Sequence, residues 1–421
     1  MEGNNSMFVP TTRRRFFGAA GGALAAGTAL QAGATAGHET EPVDYYEKLG
    51  VRKIVNAAGT YTFLTAAVMP PQVRAAVNQA AKHPVRLEEL QTKAGEYLAK
   101  RLRCEAALVT AGAASALTLG MAACITRGNE DSIKAIPNSM QGLKNEVIVQ
   151  KTHRYEYDHA LRNCGIEFVT VETMDDYQRA FNERTVMCHY FNAAQESPIS
   201  REDWIRVAHS HNVPCFNDAA ADVPPISNLW NYTAMGFDLV TFSGGKGIRG
   251  PQNAGLLLGR KDLIEAAARN NNPNSNTVGR GMKVAKEQIV GMVAAVDWFL
   301  SQTDAGMEAE FRRTAERIAA HVRGVPTLTT TIAVPPVANH VPHLLLKYDP
   351  ARVKIEPKEV ARQLREGDPP IELNPFTGRN GDKDLPSDEN TIVVGVWMLQ
   401  PGEELIVARR LKEVLSHAAS A

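Results

Sequence analysis

The chain has no excess of charge of either sign. Its 421 residues carry 46 lysines and arginines against 46 acidic residues. A nucleic-acid binder needs a basic surface to track phosphates, and that composition gives none. Aromatic residues make up only 6%, too few for a base-stacking platform. The five cysteines, at positions 104, 124, 164, 188 and 215, show no CxxC spacing and no nearby histidine at ligand spacing. A zinc site or disulfide framework is therefore not expected, nor is a metal, and most of the cysteines read as small buried hydrophobes. The one weakly apolar run near the N-terminus, residues 18–34, is too short and glycine-rich for a stable membrane span.

What is present begins with a targeting segment. Thr12-Arg13-Arg14-Arg15-Phe16-Phe17 is similar to the twin-arginine export motif, and it precedes the Gly/Ala-rich run and an A-x-A site at Ala34-Thr35-Ala36. Residues 1–36 are expected to be a signal read by the twin-arginine export machinery, placing the protein in the periplasm or otherwise outside the cytoplasm. That route carries folded, cofactor-loaded proteins, which also makes unpaired cysteines tolerable. Without this segment the chain retains 43 basic and 45 acidic residues and stays near neutral.

From about residue 45 the pattern alternates strands and helices, the signature of an α/β sheet. Helical spacing covers 71–81, 87–103 and 283–300. Strands are expected at 106–110, 146–150, 167–171, 186–191, 213–217, 238–242 and 255–258. Beyond about 302 the order becomes helix, strand, strand, helix, strand, helix, with a polar loop near 378–388. This divides the chain into a large domain, 37–301, and a small C-terminal α+β domain, 302–421.

Two strand ends carry the chemistry. The strand ending at Phe242 runs into Ser243-Gly244-Gly245-Lys246-Gly247, a glycine turn holding one lysine. The strand before it delivers Asp218. A strand-end lysine with a strand-end aspartate some thirty residues upstream is what pyridoxal 5'-phosphate needs: an amine for the Schiff base and a carboxylate to keep the pyridine nitrogen protonated. Gly112-Ala113-Ala114-Ser115 lies at a strand-to-helix turn, where free amides and the helix dipole favour a phosphate. Read alone, that turn is also an ordinary helix start. Ser243 is a second candidate phosphate ligand. His153 could stack on the pyridine face, and Asn192 could bond the cofactor's phenolic oxygen; both types also occur as plain loop residues. Gly245-Lys246-Gly247-Ile248-Arg249-Gly250 satisfies GxGxxG, but Pro251 stops the helix that a dinucleotide site requires.

Three further stretches carry a family resemblance. Val55-Asn56-Ala57-Ala58-Gly59-Thr60, the lysine loop with Gly250-Pro251-Gln252-Asn253-Ala254-Gly255, and Gly279-Arg280-Gly281-Met282-Lys283-Val284-Ala285-Lys286-Glu287 resemble the fold-type-I pyridoxal-phosphate enzymes related to selenocysteine synthase. His153-Arg154-Tyr155-Glu156-Tyr157-Asp158 is similar to the D-glucosaminate-6-phosphate ammonia-lyase-like branch of that group. The resemblance covers roughly residues 45–300. It implies a large domain with a mostly parallel seven-stranded sheet, a small C-terminal domain and a site at the subunit interface of a homodimer. Lys246 is then the Schiff-base lysine, Asp218 the pyridinium partner, and Ser115 and Ser243 phosphate contacts. Arg280, Lys283 or Lys286 supply charge for the phosphate or a substrate carboxylate, and Asn56 helps to position the substrate.

The implied activity is α,β-elimination with ammonia release from a small amino acid or amino-sugar acid, through a Lys246 aldimine. Racemisation and transamination share Lys246 and Asp218 and stay open. A non-catalytic exported binding protein of the same fold is the alternative of another class. Export and neutral charge argue against a tRNA substrate.

Overall fold

Seven strands build the main sheet of the protein in a computed structural model that describes residues 43–194, 196–380 and 384–420. The signal expected at 1–36 lies outside the described residues. The chain divides into two compact units, 1–51 and 52–421. Of the first, the described part is the single helical turn Tyr45–Lys48, capped by Asp44, whose carboxylate accepts from the amides of Tyr46 and Glu47.

In the second unit the strands, in chain order, are β1 (Val55–Ala57), β2 (Ala106–Thr110), β3 (Glu146–Gln150), β4 (Glu167–Val171), β5 (Thr185–Phe191), β6 (Cys215–Asp218), β7 (Leu239–Ser243), β8 (Gly255–Gly259), β9 (Thr329–Ala333), β10 (His343–Lys347), β11 (Ile371–Leu373) and β12 (Thr391–Gly395). The main sheet has the order β2-β8-β7-β6-β5-β3-β4. All neighbours are parallel except β8, which runs antiparallel to both β2 and β7. Val/Ile/Leu-rich strands such as β3 and β7 are buried along nearly their whole length, as a sheet covered on both faces requires. One face packs on Leu98, Trp204 and Phe299, the other on Leu117, Leu119 and Leu263. The helix Ala113–Thr126 is buried from Ser115 to its end, so it lies within the core rather than on its surface.

Several expected boundaries shift by a residue, and two move further. β6 starts at Cys215 rather than 213, because the amide of Val213 bonds back to the carbonyl of Ala208 at the end of the preceding helix. At its other end β6 extends to Asp218, which pairs with Thr241 of β7. The long helix starts at Lys286 rather than 283: Ala285 is extended and its amide is bonded to Oε1 of Gln288, 3.0 Å away.

Toward the C-terminus, β12-β10-β9 form an antiparallel sheet, one face of which packs on the helices Asp304–Val322 and Glu403–Ser420, which also pack on each other. The three-residue β11, absent from the expected order, pairs in parallel with β1 from the start of the unit. Val55 and Ala57 accordingly pack in the same cluster as Leu344, Val360 and Val407.

Candidate active site

The lysine loop is closed by its own backbone. The amide of Gly244 donates to Ala254 (2.8 Å), that of Gly250 to Gly244 (2.7 Å) and that of Arg249 to Lys246 (2.9 Å). A Cβ at Gly247 would stand 2.1 Å from the carbonyl oxygen of Val223, so only glycine lets the loop lie against that segment. From Pro251 the chain enters β8 with no intervening helix, which leaves no dinucleotide fold on these glycines.

Lys246 feels the charge of two buried carboxylates. Asp218 comes from β6, the sheet neighbour of β7, with Asp218 opposite Thr241. Its Oδ1 accepts from the amide of Ala220 (3.0 Å) and its Oδ2 from the phenol of Tyr155. Burial pushes the Asp218 carboxyl up, while Tyr155, Ala220 and the charge of Lys246 pull it down. Asp222, with 0% exposure, is pushed up to about 7 by burial, against donors from Asn192 and Tyr232 and the attraction of Lys246. Its Oδ2 accepts from Nδ2 of Asn192 at 2.5 Å and from the Tyr232 hydroxyl at 3.3 Å; its Oδ1 has no partner among the described residues. Burial in turn pushes the Lys246 amine below its ordinary range, opposed by both carboxylates. Desolvation thus favours the neutral amine that a nucleophile or base must present.

The phosphate-type turn meets the lysine strand. Gly255 of β8 faces Ser243 on one side and Thr110 on the other. A Cβ on Gly255 would stand 2.5 Å from the Gly112 carbonyl carbon and 2.8 Å from the Ala113 nitrogen. Ser243 and the Gly112–Ser115 turn therefore border the same position. Gly112, at φ 88°, starts the helix Ala113–Thr126, and no side chain caps it, which leaves its first amides open to an anion. The Ser115 hydroxyl itself donates to the carbonyl of Ala111 (2.8 Å), so the backbone rather than this hydroxyl is the free donor.

The remaining expected residues, Lys283 apart, have partners of their own. His153 is fully buried; its Nδ1 accepts from the amide of Phe191 (3.2 Å), its Nε2 lies 3.0 Å from Oγ of Ser197, and its ring packs edge-on against Tyr190. It is thereby committed to the face of β5 opposite His189 and Phe191. The aromatic that reaches Asp218 is Tyr155, stacked on Phe191 with 3.9 Å between ring centres. Asn192 spends its amide on Asp222, Tyr232 and Arg201. Asn56 folds back on Ala58 and Gly59, its Oδ1 accepting both amides at 3.0 and 3.1 Å, so it shapes the adjacent wall. Arg280 donates to Asn272 (3.0 Å), Lys286 pairs with Glu287, and Lys283 is exposed; none of the three lines the cavity at Lys246.

That cavity, of about 220 Å³, is lined by Lys246 together with Gly59, Tyr61, Tyr157, Asn374 and Trp397 among others. Sequence reading did not single out Tyr155, Asp222 or Trp397. Tyr155 stood two residues past His153, and Asp222 was the acid that closes the Ala219–Ala221 run, so only those two left a signal.

Comparison with known proteins places this geometry. The family profile described as "SelA: L-seryl-tRNA selenium transferase" matches residues 54–309. The D-glucosaminate-6-phosphate ammonia lyase of Salmonella typhimurium is 27% identical over 386 residues, 89% of this chain and 98% of that protein. The 5'-C-glycyluridine monooxygenase-decarboxylase of a Streptomyces species is 27% identical over 384 residues, covering 88% and 92%. A solved structure of D-glucosaminate-6-phosphate ammonia-lyase superposes with a TM-score of 0.76 at 26% identity, covering 90% of this chain and all of that one. The sheet and its order agree with the fold-type-I architecture expected from the sequence.

Proposed function

The chain belongs to the family described as SelA, L-seryl-tRNA selenium transferase, and from that premise we propose that it is a pyridoxal-phosphate-dependent carbon–nitrogen lyase. It expels ammonia from a small amino acid or amino-sugar acid bearing a β-hydroxyl. The name of the Salmonella relative, aligned over nearly all its length, supports the reaction class. The observation that carries the reading is the half-buried Lys246, lining a cavity with Asp218 on the neighbouring strand.

The residues fit the cofactor. The open amides at Gly112–Ser115 and the Ser243 hydroxyl offer donors for its phosphate, and Asp218 offers a carboxylate for its nitrogen. A carboxylate has about four acceptor sites, so Tyr155 leaves room on Asp218. When bound, pyridoxal phosphate supplies a carbonyl that joins amines and a ring that withdraws electrons from the substrate's α-carbon. Lys246 Nζ, whose hold on its proton burial weakens, takes the α-proton as general base. Asp218 holds the proton on the ring nitrogen. The β-hydroxyl leaves as water and a water enters, so the substrate is converted to a 2-oxo acid and ammonia with no other reactant. As part of the same reading, the enzyme is exported, works as a homodimer and takes an unphosphorylated substrate, since phosphorylated sugar acids are cytoplasmic.

The test is spectroscopic and then chemical. The purified, cofactor-supplemented protein should show a visible band that borohydride bleaches, and Lys246→Ala should lack it while losing roughly 10²–10⁴-fold in activity. Ammonia and 2-oxo acid released from D- and L-hydroxyamino acids or amino-sugar acids without an amino acceptor support elimination. Inversion without ammonia makes the protein a racemase, a requirement for an acceptor makes it an aminotransferase, and a missing band leaves a binding protein.

A further inference from the structure

The cavity at Lys246 is walled mainly by groups that give hydrogen bonds. Every polar side chain lining it but one is a hydroxyl, an amide, an indole or an amine, and each of these can donate. Two of them are already committed or shut away. Asn374 spends Nδ2 on the carbonyl of Ala58 (3.3 Å) and Oδ1 on the amide of Phe376 (3.0 Å), and the Trp397 indole nitrogen is closed off from the cavity. The exception is His343. It opens β10, directly opposite Gly395 of β12. A Cβ on Gly395 would stand 2.4 Å from the carbonyl oxygen of Ala58, so bare backbone there lets the 58–60 wall of the cavity lie against this face of the sheet. Leu344 and Leu346 alternate to the other face, into the core beneath the helices.

The imidazole of His343 is buried, with 3% exposure, and Nδ1 lies 2.8 Å from the carbonyl oxygen of Val341. A carbonyl only accepts, so Nδ1 carries the hydrogen and Nε2 presents a lone pair. Nε2 has no partner among the described residues, and it is not closed off as the Trp397 nitrogen is. With so little of the residue accessible, the opening that Nε2 meets is the cavity that His343 lines. Burial pushes the ring below its ordinary range, against the Val341 carbonyl, which favours this neutral form at pH 7.

The occupant follows from the contrast. A carboxylate only accepts, so it suits the donors of the cavity and not Nε2. The substrate proposed above brings two donors, its amine and its β-hydroxyl. The amine is committed to the cofactor, and the groups that fit the cofactor, Asp218, Ser243 and the Gly112–Ser115 turn, do not line this cavity. We propose that His343 positions the leaving group, its Nε2 accepting the hydrogen of the substrate's β-hydroxyl. The hydroxyl oxygen then keeps its lone pairs free for a second proton. In the elimination the α-carbon's C–H bond breaks, its proton goes to Lys246 Nζ, and the electron pair forms the double bond to the β-carbon. The C–O bond breaks with its pair on oxygen, the Lys246 ammonium returns a proton to that oxygen, and water leaves. His343 ends with the proton count it began with. The proposal rests on the lyase reading and names what that site selects: amino acids hydroxylated at the β-carbon.

The experiment uses the cofactor-loaded enzyme and matched acids that differ by that hydroxyl: D- and L-serine with D- and L-alanine, and D-glucosaminate with its 3-deoxy analogue. Kd is read from the initial change in the visible band on rapid mixing. The wild type should bind the hydroxy acid of at least one pair about three- to tenfold more tightly, as one neutral hydrogen bond gives. His343→Phe should erase that preference and lower kcat/KM for ammonia release by at least the same factor. The Kd of the acid without the hydroxyl and the cofactor band should stay unchanged. His343→Gln, whose side-chain oxygen can accept, should recover part of both losses. A wild type with no preference in any pair overturns the proposal, as does a Phe variant that keeps the preference or weakens both acids equally. If the wild type shows no borohydride-sensitive band, the lysine reading itself fails and this one with it. A normal band and ammonia release without a hydroxyl preference reject the His343 proposal alone.

Discussion

The phenol of Tyr155 donates to Oδ2 of Asp218, and it does so from a ring stacked flat on Phe191 and parallel to His189. The bond favours the ionised carboxylate against the burial that disfavours it. Tyr155→Phe keeps the stacking and removes the donor, so Asp218 should be protonated more readily and hold a pyridine nitrogen less well. Cofactor affinity should fall about tenfold, measured by titrating apoenzyme and following the visible band. Unchanged affinity would show that Asp218 does not depend on this donor.

Asp222 gives the pH dependence. Its folded-state value near 7 lies above the roughly 3.9 of a free aspartate, so between those limits the folded state holds a proton that the unfolded state has released. Its contribution to stability is therefore complete below about pH 4 and is lost as pH rises to about 7, by up to about 1.4 kcal/mol per unit. In urea unfolding of the apoenzyme, the stability difference between wild type and Asp222→Asn should shift against the wild type from pH 5 to 7.5. A constant difference would mean that the carboxyl is not protonated in that window.

Gly255→Ala places a methyl against the backbone of Gly112 and Ala113, neither of which can rotate away. The cost should be about 1–3 kcal/mol of stability, read as a lowered Tm. Cofactor affinity should fall further than in a control variant of equal Tm loss, because the displaced turn is the one that offers amides to the phosphate. Equal losses would separate the turn from cofactor binding.

Export is tested independently of catalysis. A reporter fused to residues 1–40 should cross the membrane, and changing Arg13 and Arg14 to lysine should abolish transport. Translocation that survives the change would remove the twin-arginine assignment.

Much of the architecture was legible because it is local. The alternation of apolar strands with helices is set by side-chain periodicity, and the lysine loop announces itself through glycines that the backbone needs within a few residues of Lys246. Boundaries slipped where a nearby hydrogen bond decided them, as at Ala208 with Val213 and at Ala285 with Gln288. β11 escaped notice because three residues give no period, and its partner β1 lies at the other end of the unit.

By itself, the sequence determined the α/β alternation, the lysine on its glycine loop and the aspartate at the end of the preceding strand. These depend on residues that are neighbours in the chain. Only the tertiary structure decided that Tyr155 reaches Asp218 and that Asp222 is sealed behind Asn192 and Tyr232. Each of those is a contact between segments far apart in sequence. Strand order and close packing bring such segments together, and a composition or a motif carries no record of which side chains will meet.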